Sequence, residues 1–319
     1  MNRFGRLPVS LPLLRRLALA SVVANVGIVV TGGAVRLTGS GLGCPTWPRC
    51  TDESYTTTPA LGINGAIEFG NRTLTGVVGL IALAGLVAAL LYRPRRRSLV
   101  LLAGAVLLGI AAQAVIGGIT VRMHLNPGVV GVHFIVSMLL LLSTYAFWRR
   151  VSEDDGPARL TVPRPARTLA WLTTAVSGAV IVVGVLVTGS GPHAGDAAAA
   201  RNGLDSQAIS QFHADVVFLL VGLTVGLLLA LRAAGAPAVA VRATAVLLAV
   251  ELAQGLIGVV QYLTNLPALL VGAHMLGACL VWLATLSVLW ATRERLPAVP
   301  AATVDRTAAS ATPAPALSR

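Results

Sequence analysis

Three of the five histidines, His133, His213 and His274, fall inside long apolar stretches of the chain. An imidazole surrounded by hydrocarbon must find a partner, either a cross-helix hydrogen bond or a metal. His133 follows Pro127 by six residues and His274 follows Pro267 by seven, so both reach a similar depth, while His213 stands near the start of its own stretch. Imidazoles on neighbouring helices can hold haem iron from opposite faces, and His213 with His274 form such a pair. For a lone membrane histidine the hydrogen-bond reading explains as much. Two repeat-related helices whose histidines reach the same leaflet favour haem. His124 and His193 lie in connecting loops and read as surface residues.

Other residues can do chemistry beside them. Glu68 and Asn71 stand three apart in Glu68-Phe69-Gly70-Asn71-Arg72 and share a helix face. A carboxylate there can move protons or stabilise developing positive charge; equally, an acid at a helix start is favoured by the helix dipole. Cys44 and Cys50 flank Pro45-Thr46-Trp47-Pro48-Arg49. In an oxidising compartment such a pair can form a disulfide, structural or redox-active, whereas zinc would need further close ligands. Cys279 reads as a buried apolar residue. Glu251 lies one turn before Gln254 and can carry protons or bind an interhelical partner; Asp215, two residues after His213, faces away from it. Arg36, Arg72 and Arg122 suit either haem propionates or interfacial anchoring.

The elements that must position these residues are transmembrane helices. Mean hydropathy is +0.80 and only 11% of residues are charged. About 20 apolar residues cross the roughly 30 Å hydrocarbon core, and only helices or closed barrels satisfy their backbone there. The runs are rich in Leu, Val, Ala and Gly without barrel-like alternation, so the fold is all-α and polytopic. Eight spans are expected at about 14–36, 66–92, 98–121, 127–149, 168–189, 209–232, 239–263 and 267–291. The first is too long, and too well matched by a later segment, for a cleaved signal peptide. The net charge of +12 is carried by arginine alone, since the chain has no lysine. These arginines cap helix ends rather than forming one soluble face, which argues for a lipid bilayer and against nucleic acid. They gather in alternate connections and at both termini. The opposite connections keep only Arg36, Arg49, Arg72, Arg122 and Arg201, so both termini are expected in the cytoplasm.

The chain also repeats itself. QAVIGGITVRMHLNPGVVGVH (113–133) answers QGLIGVVQYLTNLPALLVGAH (254–274), pairing Gln113 with Gln254, Gly117 with Gly258 and His133 with His274. LTGSG (37–41) answers VTGSG (187–191). Each copy holds an even number of helices, so the copies insert the same way. Two tandem pseudo-symmetric four-helix bundles follow. An N-terminal half over 1–150 carries the cysteine loop; a cytoplasmic linker over 151–167, a C-terminal half over 168–292 and a disordered tail over 293–319 complete the chain. Asn71 answers His213. One strong ligand, His133, beside a weak neutral neighbour suits an open iron position for substrate or oxygen, whereas two histidines close the iron for electron transfer.

GAVRLTGSGLGCPTWPRC (33–50) resembles the first outer segment of haem A synthases. Glu68…Asn71-Arg72, His133, His213, His274 and the duplicated layout are similar too, so the likeness covers nearly all but the two tails. The run ending in CPTWPRC is its most specific element. The resemblance implies oxidation of the C8 methyl of haem O to a formyl group, by successive hydroxylation and loss of water, to give haem A for aa3-type terminal oxidases. It implies haem b ligated by His213 and His274. It also implies a substrate-haem site in the first half with His133 and Asn71, beside which Arg36, Arg72 and Arg122 are the candidates for its propionates, with Glu68 as the essential glutamate and Cys44 paired with Cys50. The implied setting is a bacterial plasma membrane with both haem sites towards the outer face. Haem O synthase and an electron donor are the implied partners, and a homo-oligomer is possible. The family's first-half histidine pair is matched by His133 but meets Asn71 at the other position. The rival readings are a non-catalytic dihaem electron-transfer protein, which predicts two closed bis-histidine sites, and a duplicated transporter, which lacks an obvious broken midplane helix.

Overall fold

The structure, a computed structural model, describes residues 9–297. Eight long helices account for most of it: α1 (Leu11–Leu37), α2 (Gly62–Leu91), α3 (Arg97–Arg122), α4 (Pro127–Val151), α5 (Arg164–Ser190), α6 (Ser206–Ala233), α7 (Ala238–Leu263) and α8 (Ala268–Ala291). All eight are long and apolar enough to cross a membrane. The protein is an all-α, multi-pass membrane protein. Large apolar side chains such as Leu80, Leu108, Phe218 and Leu256 cover its outside, as a lipid-facing surface requires.

Helix starts follow local chemistry. Ser10 accepts from the backbone N–H of Leu13 before α1, Asp205 accepts from Ala208 N at 2.6 Å before α6, and Asn126 accepts from Gly128 N at 3.0 Å before α4. Pro127 sits at the first position of α4, where its missing N–H costs nothing.

Within the first half, α1 packs on α2, α2 on α3, α3 on α4, and α4 returns to α1; α5 to α8 pack in the same order. Contacts of α1 and α4 with α8, and of α4 with α5, join the two sets. The core between them runs through Val22 and Val29 of α1, Met138 and Leu141 of α4, and Cys279 and Trp282 of α8. There Trp282 Nε1 donates to Met138 O at 3.0 Å. Two ends can be distinguished: the loop end, carrying residues 38–61, and the linker end, carrying 152–163.

An unusual turn recurs between α3 and α4 and between α7 and α8. His124 and Leu125, with φ of 50° and 57°, match Asn265 and Leu266, with φ of 61° and 58°. Two successive non-glycine residues in left-handed geometry are uncommon, and both turns close with the second residue's N–H bonded five residues back, to Thr120 O and Gln261 O.

The linker end differs from the sequence expectation. Residues 293–295, assigned there to a disordered tail, form strand β2 (Arg293–Arg295), antiparallel to β1 (Ala158–Leu160) of the linker. Asp155 receives Arg96 at 2.8 Å and Arg150 at 2.6 Å, and Glu153 faces Arg293 and Arg295 at 3.5 and 3.3 Å. These ion pairs and the short ladder order the linker. The rest of the expected tail, 298–319, and residues 1–8 lie outside the described residues.

Candidate functional site

Two glycine–histidine contacts recur in the same helix pair of each half. A Cβ added at Gly117 of α3 would lie 3.4 Å from Cε1 of His133 on α4, and one at Gly258 of α7 would lie 3.2 Å from Cε1 of His274 on α8. The bare backbone lets each ring lie against the neighbouring helix. One turn deeper, Gln113 Nε2 donates to His133 O at 3.0 Å and Gln254 Nε2 to His274 O at 2.8 Å. The amides therefore hold the histidine backbones and not the rings. His213 on α6 rests against Gly184 of α5. The Nδ1 atoms of His133, His213 and His274 are all buried without a hydrogen-bond partner. A cross-helix hydrogen bond through Nδ1, the bland explanation for such residues, is absent from all three.

Asn71 occupies a place on α2 facing α1, much as His213 faces α5. Thr31 Oγ1 of α1 donates to Asn71 Oδ1 at 2.8 Å. The amide oxygen, the atom of Asn71 best able to meet a metal, is thus already engaged.

Glu68, one turn earlier, is buried at 5% exposure and accepts the backbone N–H of Cys44 at Oε2, 2.6 Å away. Its Oε1 pairs with Arg72 at 2.5 Å. Arg72 also donates to the carbonyls of Cys44, Thr46 and Arg49 at 3.0 to 3.1 Å. Cys44 and Cys50 are joined in a disulfide, and Cys279 is free and buried. The closed loop is anchored again on α3, where the Trp47 indole packs directly on Gly118 and Arg122 Nη2 donates to Trp47 O at 2.9 Å. Gly118 follows Gly117, the residue against His133. The disulfide loop therefore bridges α2 and α3 above the first-half site.

Arg72, expected from sequence at the substrate haem, donates through all three guanidinium nitrogens to Glu68 and the loop. Arg36 reaches into the second half, donating to His193 O and, at 2.7 Å, to Thr188 O. Among the described residues Arg36 and Arg122 each keep Nη1 without a protein acceptor. His193 is not an ordinary surface residue: its Nε2 lies 2.9 Å from Leu266 O, and its backbone receives Arg36. Loop 191–205 and the cysteine loop meet where Gly41 N donates to Gly195 O at 2.9 Å. Asp215 accepts from Gln211 and is exposed, away from His213, as its spacing implies.

Residues 15–286 match the profile of the COX15-CtaA family, described as a cytochrome oxidase assembly protein. The chain belongs to that family. Curated relatives named Heme A synthase are similar to parts of it. That of Exiguobacterium sibiricum is 30% identical over 146 residues, covering 45% of this chain and 48% of the relative. That of Staphylococcus haemolyticus is 29% identical over 180 residues, 54% of this chain and 59% of the relative. That of Listeria welshimeri is 32% identical over 130 residues, 40% and 42% of the two chains. The chain thus aligns with about half the length of these relatives. The family profile reaches further, taking in the cysteine loop, Glu68 and all three membrane histidines.

Proposed function

We propose that this protein is a haem A synthase, oxidising the C8 methyl group of haem O to a formyl group to supply haem A to an aa3-type oxidase. The observation that carries the reading is the set of three imidazoles, His133, His213 and His274, whose buried Nδ1 atoms have no protein partner inside a COX15-CtaA family chain. Rings held in place by packing, with no protein hydrogen bond at either nitrogen among the described residues, leave one nitrogen free for iron, and the donor set fits haem.

His213 and His274 would hold a resident haem b, which would supply one-electron transfer. On the first-half side His133 would hold the substrate haem, while the amide oxygen of Asn71 is engaged by Thr31. Arg36 and Arg122 offer Nη1 to its carboxylates. Glu68, fixed by the Cys44 N–H and Arg72, presents negative charge beside the substrate and accepts a proton at a carboxylate oxygen. The disulfide loop, with Trp47 seated on Gly118, shields this site from water. The protein lies in a bacterial plasma membrane with the loop end outside and both termini in the cytoplasm. It receives haem O from a haem O synthase and electrons from a membrane donor, and it works alone or as a homo-oligomer.

The test is expression with a haem O source, followed by pigment extraction and mass analysis. Haem A in the extract is the expected result. Recovery of haem O unchanged from protein with a normal low-spin spectrum overturns the proposal.

A further inference from the structure

Glu251 is a carboxylate in the middle of α7, 3% exposed. Its Oε1 accepts a hydrogen bond from Thr224 Oγ1 of α6 at 2.9 Å, and Thr224 is itself fully buried. Its Oε2 is buried with no partner. An ionisable group at membrane depth is expensive and calls for a functional explanation. The duplication sharpens that demand. With Gln113 matched to Gln254 and Thr144 to Thr285, Glu251 falls opposite Ile110. The frame therefore folds without a carboxylate at this level, and only the half with two membrane histidines carries one.

Its surroundings narrow the role. Helix α7 packs on α6 and α8. Their charged and titratable residues are His213, Asp215 and Arg232 on α6, and His274 and Cys279 on α8, with Arg242 and Tyr262 on α7 itself. Asp215 is exposed and held by Gln211; Arg232 and Arg242 sit towards the linker end; Tyr262 is exposed near the loop end. Cys279 is buried among α1 and α4 side chains. The two histidines remain. Glu251 lies three residues before Gln254, whose amide holds His274 O at 2.8 Å, and seven before Gly258, on which the His274 ring rests, so it is two turns, roughly 10.5 Å along the axis, from that ring.

We propose that Glu251 is the proton acceptor coupled to electron arrival at the second-half haem. This rests on the reading of His213 and His274 as that haem's ligands. When one electron reaches the iron from a quinol-type donor in the membrane, one proton binds Glu251 Oε2; on reoxidation the electron and the proton both leave. Charge added inside a hydrocarbon-embedded bundle is not screened by salt, so it is felt at an unpaired oxygen a few turns away. Thr224 fixes the carboxylate through Oε1 and leaves Oε2 as the site of exchange. Thr244, buried two turns earlier on α7, lies on the side from which a proton would come from the linker end.

The experiment is a redox titration of the full-length protein in lipid nanodiscs at a series of pH values, following the low-spin haem absorbance. In the unmodified protein the midpoint potential should fall as pH rises. Glu251→Gln should lose that slope while keeping the haem, and Glu251→Asp should retain it. Thr224→Val, which keeps the carboxylate but removes its donor, should move the slope to a different pH range. A flat profile in the unmodified protein, an unchanged profile in Thr224→Val, or a full slope in Glu251→Gln overturns the proposal; the last result would assign the coupling to the haem carboxylates. Absence of any low-spin haem from the unmodified protein overturns the ligand assignment and this inference together, whereas a normal low-spin haem with a flat slope overturns this inference alone.

Discussion

The two halves share a frame and differ in what they do with it. Both place a histidine of the fourth helix against a glycine of the third, both hold that histidine's carbonyl with a glutamine, and both close the intervening loop with two left-handed residues. The differences are few. The first half has Asn71, tied to Thr31, where the second has His213; it has Ile110 where the second has Glu251; and it alone carries a disulfide loop, locked by Glu68, Arg72 and Trp47. Burial of a polar side chain in a membrane bundle is costly, so each unmatched polar residue marks specialisation rather than drift in the frame. On the proposed reading the second half closes a metal site, and the first leaves one open and covers it.

The strongest way to break that comparison is to remove a second-half imidazole. His213→Ala or His274→Ala should abolish the low-spin haem signal and leave the helical protein in the membrane, with haem A formation falling below detection. Optical and EPR spectra of purified protein check this. Either variant keeping a normal low-spin spectrum would show that the pair is not the axial set.

Glu68→Gln should come next in size. The substitution keeps an acceptor for the Cys44 N–H but loses the charge paired with Arg72, so the loop stays docked while the chemistry suffers. Turnover should fall by about 10²-fold or more, the scale of a lost acid–base group, with second-half haem content unchanged. Full activity in this variant would remove the carboxylate from the mechanism. A fall matched by equal loss of second-half haem would make its role structural.

Asn71→His makes the first half resemble the second. A ring at that position would lose the Thr31 bond to the amide and stand across from His133. Resonance Raman of protein loaded with substrate haem should then shift towards six-coordinate, low-spin iron. If the unmodified protein already gives a bis-histidine low-spin signal from its first half, the open-site reading fails.

The sequence carried the frame well and the contacts poorly, for physical reasons. Hydropathy located all eight helices to within a few residues because crossing hydrocarbon demands long apolar runs. α2, for instance, begins at Gly62 where the apolar run suggested 66, since its first turn belongs to the polar loop end. The equivalence of Gln113 with Gln254 was readable because repeated helices preserve spacing. Strand β2 was not, because three residues around Glu294 have no periodicity and their partner lies over a hundred residues away. The partners of Arg36, Arg72 and Arg122 were equally hidden. A guanidinium facing loop carbonyls and one facing a ligand carboxylate have the same residue type at the same helix end. The Glu68–Cys44 bond could have been suspected from the loop's need for an acceptor near the start of α2. The Thr224–Glu251 pair could not, since nothing local to α6 marks that threonine.

The smallest expected effect tests how finely the shared frame is tuned. At Gly277 of α8 an added Cβ would collide with Oε1 of Gln254 and come within 2.6 Å of its Cδ. The matching first-half residue is Val136, and there the glutamine amide instead reaches Ser137 Oγ at 2.5 Å, an acceptor the second half replaces with Ala278. Gln113 is thus held twice and Gln254 once. In Gly277→Ala the amide is the flexible end of a side chain, so it can swing away without moving a helix. It would give up its bond to His274 O, a net loss of about 1 kcal/mol for a hydrogen bond of this kind. Haem content should stay normal because the ring, its packing on Gly258 and its partner His213 are untouched. The low-spin band and midpoint should shift modestly, as freeing the His274 backbone lets the ring rotate. Gln254→Leu should reproduce the shift, and Gln113→Leu should leave the second-half signal alone. A Gly277→Ala protein indistinguishable from the unmodified one in both spectrum and midpoint would show that the glutamine clamp does not set the orientation of His274.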